Sequence, residues 1–322
     1  MKILLAGAGP MAIDYARVLG ALGADWFAVG RGAASAERFA AEIGKAPMRG
    51  GLGAFLRDAR GTIADAAIVA LPIPELAGAA QALVGAGVKR LLVEKPAGLD
   101  FNEIRALTGF AEASGAEIYV AYNRRYMAST REAARMIADD GGVTSFQFEF
   151  TEVAERIVSS GKDPRVLAQW FLGNSSHVID LAFHLAGAPA QLYAQASGRL
   201  NWHPAGAVFT GAGTTRDGVP FSYHADWSSA GRWGVDIRTA RRRLILQPLE
   251  QLKMQMKGSF AIEDMTLDDE LDRNFKPGLY RQSADFLAGT KGRLQTIAAH
   301  ARTAEIMNAM RAGASRWEAR LS

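Results

Sequence analysis

The sequence predicts an α/β protein: a doubly wound parallel sheet in its first third, then an α+β region with a large, mainly antiparallel open sheet. Over residues 1–121, short apolar runs alternate with Ala-rich helical stretches, which means parallel strands joined by right-handed crossovers. From residue 191 onward, longer segments alternate apolar and polar residues, and Asp217-Gly218 marks a hairpin tip. At 322 residues the chain can bury two separate cores.

In order, Lys2–Ala6 reads as a strand, Met11–Leu22 as a helix, Trp26–Val29 as a strand and Ala36–Ile43 as a helix. Ala66–Ala70 is a buried strand because all five residues are small or apolar. Pro74–Ala86 reads as a helix, Arg90–Val93 as a strand, Phe101–Ala113 as a helix and Glu117–Ala121 as a strand. The pattern then changes. A helix at Ser129–Ala138 leads through Asp139-Asp140-Gly141-Gly142, a turn, into the half-exposed strand Val143–Glu152. Leu167–Leu185 reads as one helix. The strands Gln191–Leu200, Ala207–Thr215, Pro220–Trp227, Trp233–Thr239 and Arg243–Gln247 follow as a meander, with closing helices at Tyr280–Leu287 and Thr296–Ala312. Domain boundaries are therefore expected at 1–121 and 122–322.

Composition narrows the function classes. A hydrophobic fraction of 49% with 22% charged residues excludes a disordered or fibrous chain. The absence of cysteine excludes thiol catalysis, disulfides and thiolate metal sites, and fits a reducing compartment. A net charge of +4 is too small to argue for nucleic acid. Residues 122–257 carry 16 Lys/Arg against 12 Asp/Glu, which would suit an acidic small molecule; uneven surface solvation explains it equally well. The N-terminal apolar run breaks at Gly7 and Gly9, and Asp14 and Arg17 follow, so it is too short for a signal peptide. No run approaches the roughly 18 apolar residues of a membrane span. A cytoplasmic protein with no membrane partner is expected.

Gly7-Ala8-Gly9-Pro10-Met11-Ala12 stands directly after a strand and opens a helix. Gly7 permits the tight turn, Gly9 lets the backbone approach a pyrophosphate, and Ala12 keeps helix and strand close. Pro10 is tolerated because the first helical turn has no N–H partner to lose. This is the dinucleotide-binding fingerprint of a Rossmann domain, with Met11 beside the phosphates. Where an NAD site presents an acid to the ribose 2′-hydroxyl, the second strand ends in Gly30, Arg31 and Gly32. No carboxylate stands there to repel a 2′-phosphate and a guanidinium can pair with it, so NADP(H) is expected over NAD(H). An ordinary exposed arginine is the competing reading. Glu94-Lys95-Pro96 follows a buried strand, where ligands of an open α/β sheet collect. Partial burial there would lower the pKa of Lys95 and suit it to proton transfer or substrate anchoring.

GAGPMA at 7–12, DAAIVALPIPE at 65–75, EKPAG at 94–98, YNRRY at 122–126 and HVIDLAFHLAG at 177–187 together resemble the Gfo/Idh/MocA oxidoreductases, in order and over essentially the whole chain. The resemblance implies a Rossmann domain and an α+β domain whose open sheet makes the oligomer contact. It also implies a nicotinamide cofactor and a sugar, cyclitol or sugar-nucleotide substrate. Lys95 then becomes the substrate-touching, proton-handling lysine and His177 the histidine facing substrate and nicotinamide. Leu71, Pro72 and Glu94 join Gly7, Gly9, Pro10, Met11, Arg31 and Lys95 at the cofactor. Tyr122, Asn123, Arg124 and Asn174 join Lys95 and His177 at the substrate. Two positions depart from the pattern. Gly173 stands where many members carry an aspartate four residues before the histidine, and Leu76 stands near a position that is often histidine.

His177, Asp180 and His184 share a helical face, a spacing that also admits a metal, but packing and interface roles are the expectation and no metal is assigned. Arg156, Lys162, Arg165 and Trp170 could surround an anionic substrate or simply form a solvated loop. The run Arg238, Arg241, Arg242 and Arg243 reads as strand-edge charge. The expectation is an NAD(P)-dependent dehydrogenase or reductase acting on a carbohydrate hydroxyl or ketone, assembled as a homodimer or homotetramer. Two alternatives stay open: a cofactor-retaining glycosidase or dehydratase on the same scaffold, and a non-catalytic dinucleotide-binding regulator.

Overall fold

The computed structural model describes residues 1–290 and 294–319, and the chain divides into two compact units. Met1–Asn123 with Leu271–Ala301 form the first, and Arg124–Glu270 with Arg302–Ser322 the second.

The first unit contains β1 (Lys2–Ala6), β2 (Asp25–Val29), β3 (Ala66–Val69), β4 (Arg90–Glu94) and β5 (Glu117–Ala121), all parallel. β3 reads as an unbroken apolar run because it is central: Ala66, Ala67, Ile68 and Val69 have no solvent exposure. The helix Pro10–Ala21 starts on Pro10, and Asp100 caps Phe101–Ser114 by accepting the N–H groups of Asn102 and Glu103 at 2.8 and 3.0 Å. Such a cap is worth about 1 kcal/mol. A helix at Gly51–Asp58, absent from the sequence expectation, starts from Gly50 and Gly51, whose φ angles are 99° and 79°.

The second unit carries β6 (Val143–Phe150), β7 (Pro189–Ser197), β8 (Val208–Thr215), β9 (Pro220–Asp226), β10 (Trp233–Thr239), β11 (Arg242–Leu246), β12 (Lys253–Met256) and β13 (Glu263–Asp264). With β15 (Trp317–Glu318), their order is β13-β12-β11-β10-β6-β9-β8-β7-β15. Among the described residues, only the β6–β9 pairing of this sheet is parallel. Period-2 alternation sends Phe146, Phe148 and Phe150 to one face and leaves Gln147 exposed on the other. The helix Ser176–Ala186 lays Phe183 against Phe146, Phe148 and Phe221 at ring separations of 6.0, 5.6 and 5.2 Å. Each such buried ring contributes about 1.5–3 kcal/mol.

Two expectations need correction. The single helix expected at 167–185 is three pieces: Pro164–Ala168, a π turn at Phe171–Ser175, and Ser176–Ala186. Gly173-Asn174-Ser175-Ser176 is a run of weak helix formers, so regular α geometry yields there. Nor do residues 122–322 form one domain, because Leu271–Ala301 returns to the first unit. There β14 (Gln295–Thr296) pairs antiparallel with β5, giving the order β14-β5-β4-β3-β1-β2. Arg90 also reaches over the Phe286 ring at 4.9 Å and donates to the Phe286 carbonyl. Among the described residues no helix is long and apolar enough to cross a membrane.

Candidate active site

The glycine turn of the first unit has the shape a dinucleotide needs. Gly7 has φ 135°, and a Cβ there would lie 2.3 Å from the carbonyl oxygen of Ala70, so only glycine fits. A Cβ on Gly9 would meet nothing within 4 Å, so the missing side chain leaves open space above the backbone. Gly9 is the N-cap of the helix Pro10–Ala21 and no side chain caps it, leaving the helix N-terminus open to a phosphate. These residues fit the pyrophosphate of a dinucleotide.

At the tip of β2, a Cβ on Gly30 would sit 2.7 Å from that of Ala8. Arg31 follows and pairs with Glu75, Nη2 to Oε1 at 2.9 Å and Nη1 to Oε2 at 3.3 Å. Leu71, Arg31, Arg57 and Glu75 line one open cavity of about 510 Å³ beyond β2 and β3, and Pro72 introduces the turn Ile73–Glu75.

β4 ends in Glu94, which accepts the Tyr15 hydroxyl at 2.8 Å. Desolvation raises the Glu94 carboxyl above its ordinary range, opposed by the Tyr15 hydrogen bond and the Lys95 charge. Burial and the Glu94 charge push the Tyr15 phenol up as well. Lys95 is half-buried. The next peptide is held by a residue that the sequence reading missed: His300 Nε2 lies 2.9 Å from the Pro96 carbonyl. A carbonyl only accepts, so Nε2 carries the proton and Nδ1, 3.4 Å from the Tyr122 hydroxyl, faces it as acceptor. Tyr122, expected at the substrate, is 1% exposed, with its ring 5.4 Å from His300. Asn123 likewise spends its amide N–H on the Pro277 carbonyl at 2.8 Å. Both are buried in the first unit and directly continue the buried strand β5.

In the second unit His177 is 8% exposed and its ring lies 6.1 Å from that of Trp233. The Arg124 guanidinium sits 5.0 Å over the same Trp233 ring, and desolvation lowers its pKa from the ordinary arginine value. Arg125 grips Asp180 through Nε and Nη2 at 2.7 and 2.6 Å. That fork occupies both Asp180 oxygens, and the Arg125 and Asp180 charges also act on His184. Asn174 donates to both oxygens of Glu152 at 3.0 and 3.1 Å, and the Ser175 hydroxyl adds a third bond at 3.1 Å. Glu152, only 8% exposed, thus brings a carboxylate to the turn where Gly173 stands. It also lines a cavity of about 410 Å³ with Trp170 and Trp233. The signal for Glu152 was its phase in the run Val143–Glu152, where it follows Phe146, Phe148 and Phe150 at a spacing of two, on the buried face.

No protein-family model and no curated protein matches this sequence. Solved structures do. An oxidoreductase from Agrobacterium radiobacter, in complex with NAD+, L-tartaric acid and magnesium, superposes with TM-score 0.79 at 15% identity over 99% of this chain and 98% of its own. A levoglucosan dehydrogenase with NADH and L-sorbose gives 0.78 at 16% over 99% and 98%. The WlbA dehydrogenase from Bordetella pertussis, with NADH and UDP-GlcNAcA, gives 0.75 at 16% over 100% and 99%. At these identities the likeness establishes the fold, which the sequence motifs had suggested.

Proposed function

We propose that this chain is an NAD(P)-dependent oxidoreductase of the Gfo/Idh/MocA type, moving a hydride between nicotinamide and a carbohydrate hydroxyl or ketone. The observation that carries it is the Gly7–Gly9 turn, whose close approach to Ala70 and open helix end fit a pyrophosphate. Structures of the same fold hold NAD+ or NADH with carbohydrate-type ligands. Lys95 and His177 are the groups that would hold or move the alcohol proton, with Glu152 and Arg124 supporting the substrate side. We read the cofactor as NADP(H) in preference to NAD(H), from Arg31. The substrate is a small carbohydrate-like molecule in a soluble, cytoplasmic setting. The assembly is a homodimer or homotetramer through the open face of the second unit's sheet, where Gln147, Ser222 and His224 are exposed.

The test is nicotinamide absorbance with a panel of sugars. Net absorbance change with product supports the dehydrogenase. Product without net change would replace it by the cofactor-retaining glycosidase or dehydratase. Cofactor binding with neither would leave a regulator.

A further inference from the structure

We propose that the cavity of the second unit selects an acidic sugar, its carboxylate or phosphate held by Arg156 and Arg232. This deepens the carbohydrate reading above and rests on it. At about 410 Å³ the cavity suits a small ligand. Trp170 and Trp233 give it ring surface, and the indole N–H of Trp170, 8% exposed, has no hydrogen-bond partner among the described residues. A buried donor in that state gains from any ligand oxygen brought to it. Glu152, fixed by Asn174 and Ser175, offers acceptor oxygens to a hydroxyl. These features fit any pyranose, whose C–H faces stack on indoles and whose hydroxyls donate and accept.

The charges choose among sugars. The cavity holds two acids, Glu152 and Glu250, and both act on Arg124. Arg156, on the short helix Ala154–Val158, and Arg232, just before β10, converge on the same cavity from separate elements. Neither has an acidic partner among the described residues. Lys162 adds positive charge 5.9 Å from the Trp170 ring. A neutral sugar leaves both guanidinium groups to water, whereas an anion on the sugar gives them a charge-assisted partner.

The experiment uses the full chain loaded with reduced cofactor, titrated calorimetrically with the neutral, uronate and 6-phosphate forms of glucose, galactose and mannose. At least one acidic form should bind about 10- to 150-fold tighter than its neutral parent, the range for charge-assisted hydrogen bonds. Whether uronate or phosphate shows the gain identifies the source of the anion. Arg156→Gln and Arg232→Gln should each cut that ratio by about 10-fold. Equal affinity for neutral and acidic forms overturns the proposal, as does an acid preference that survives in both variants. Turnover of a neutral sugar alone would overturn it while leaving the oxidoreductase reading standing. Failure to bind either nicotinamide cofactor would instead strike that reading.

Discussion

Arg31 and Glu75 form a two-pronged ion pair across the strand ends of the first unit, at 2.9 and 3.3 Å. A 2′-phosphate must therefore compete with Glu75 for the guanidinium. Magnitudes decide the contest. The two side chains are 74% and 38% exposed, so the pair contributes about 0–1 kcal/mol, whereas hydrogen bonds to a charged phosphate contribute about 1.5–3 kcal/mol. The phosphate should win with a reduced margin. NADPH is expected to bind the wild type tighter than NADH, Arg31→Ala to erase the difference, and Glu75→Gln to widen it, as read by cofactor fluorescence. Equal or tighter NADH binding by the wild type would show that Arg31 does not read the phosphate.

Lys95→Ala should lower turnover by about 100-fold or more, the scale of a positioned acid–base group. Cofactor affinity should move far less. His177→Ala is expected to follow with a smaller loss. Near-wild-type steady-state rates in the lysine variant would remove it from the chemistry.

His300 donates to the Pro96 carbonyl, one residue beyond Lys95, and on the proposed reading it would position that lysine. His300→Phe removes the donor and should lower kcat by about 10- to 100-fold, since small displacements of a reacting group carry costs of that size. His300→Gln can still donate and should recover most of the rate, with the kcat-to-KM split and the fold checked in parallel. If glutamine and phenylalanine behave alike, the hydrogen bond to Pro96 is irrelevant to turnover.

His203 predicts the acid limb of stability. Its Nδ1 donates to the Gly206 carbonyl at 2.9 Å, while buried Nε2 has no partner among the described residues. Burial holds its pKa below 6.5, so the unfolded chain binds the proton first as pH falls. The neutral ring's stabilisation is therefore complete above pH 6.5 and is lost progressively below it. A His203→Asn variant should show a lower Tm at pH 8 but a shallower decline between pH 6.5 and 5. An unchanged acid slope by differential scanning fluorimetry would contradict this.

Light scattering at micromolar concentration should give a dimer or tetramer. Like charges introduced on the exposed strand face, Gln147→Glu with His224→Glu, should shift the mass toward the monomer. A monomeric wild type would end the assembly proposal.

What was legible in the sequence was what repeats locally. Gly7 and Gly9 sit in one turn, and Phe146, Phe148 and Phe150 declare a strand face within five residues. What escaped depends on distant partners. Gln295 and Thr296 form a strand only because Val120 and Tyr119 offer an edge, and no periodicity in two residues could announce it. His300 is an ordinary helical histidine until Pro96 is placed beside it. Arg31 was visible, but Glu75, forty-four residues later, was not its evident partner. Glu152 shares the phase of the buried Phe146, Phe148 and Phe150, but alternation says nothing of the Asn174 and Ser175 side chains that hold its carboxylate, twenty-two and twenty-three residues away.

The return of Leu271–Ala301 to the first unit governs how the protein can be made. During synthesis β5 emerges with one edge bare, and its partner β14 leaves the ribosome only after residues 124–270 have followed. The second unit waits too, because β15 pairs with β7 from near the C-terminus. Neither fold is a contiguous stretch of gene. A nonsense mutation near codon 290 would orphan two sheet edges at once, and unsatisfied edges template aggregation. A cofactor domain transplanted by a single cut after Asn123 would lose His300 and a strand together, so splicing it elsewhere requires both segments.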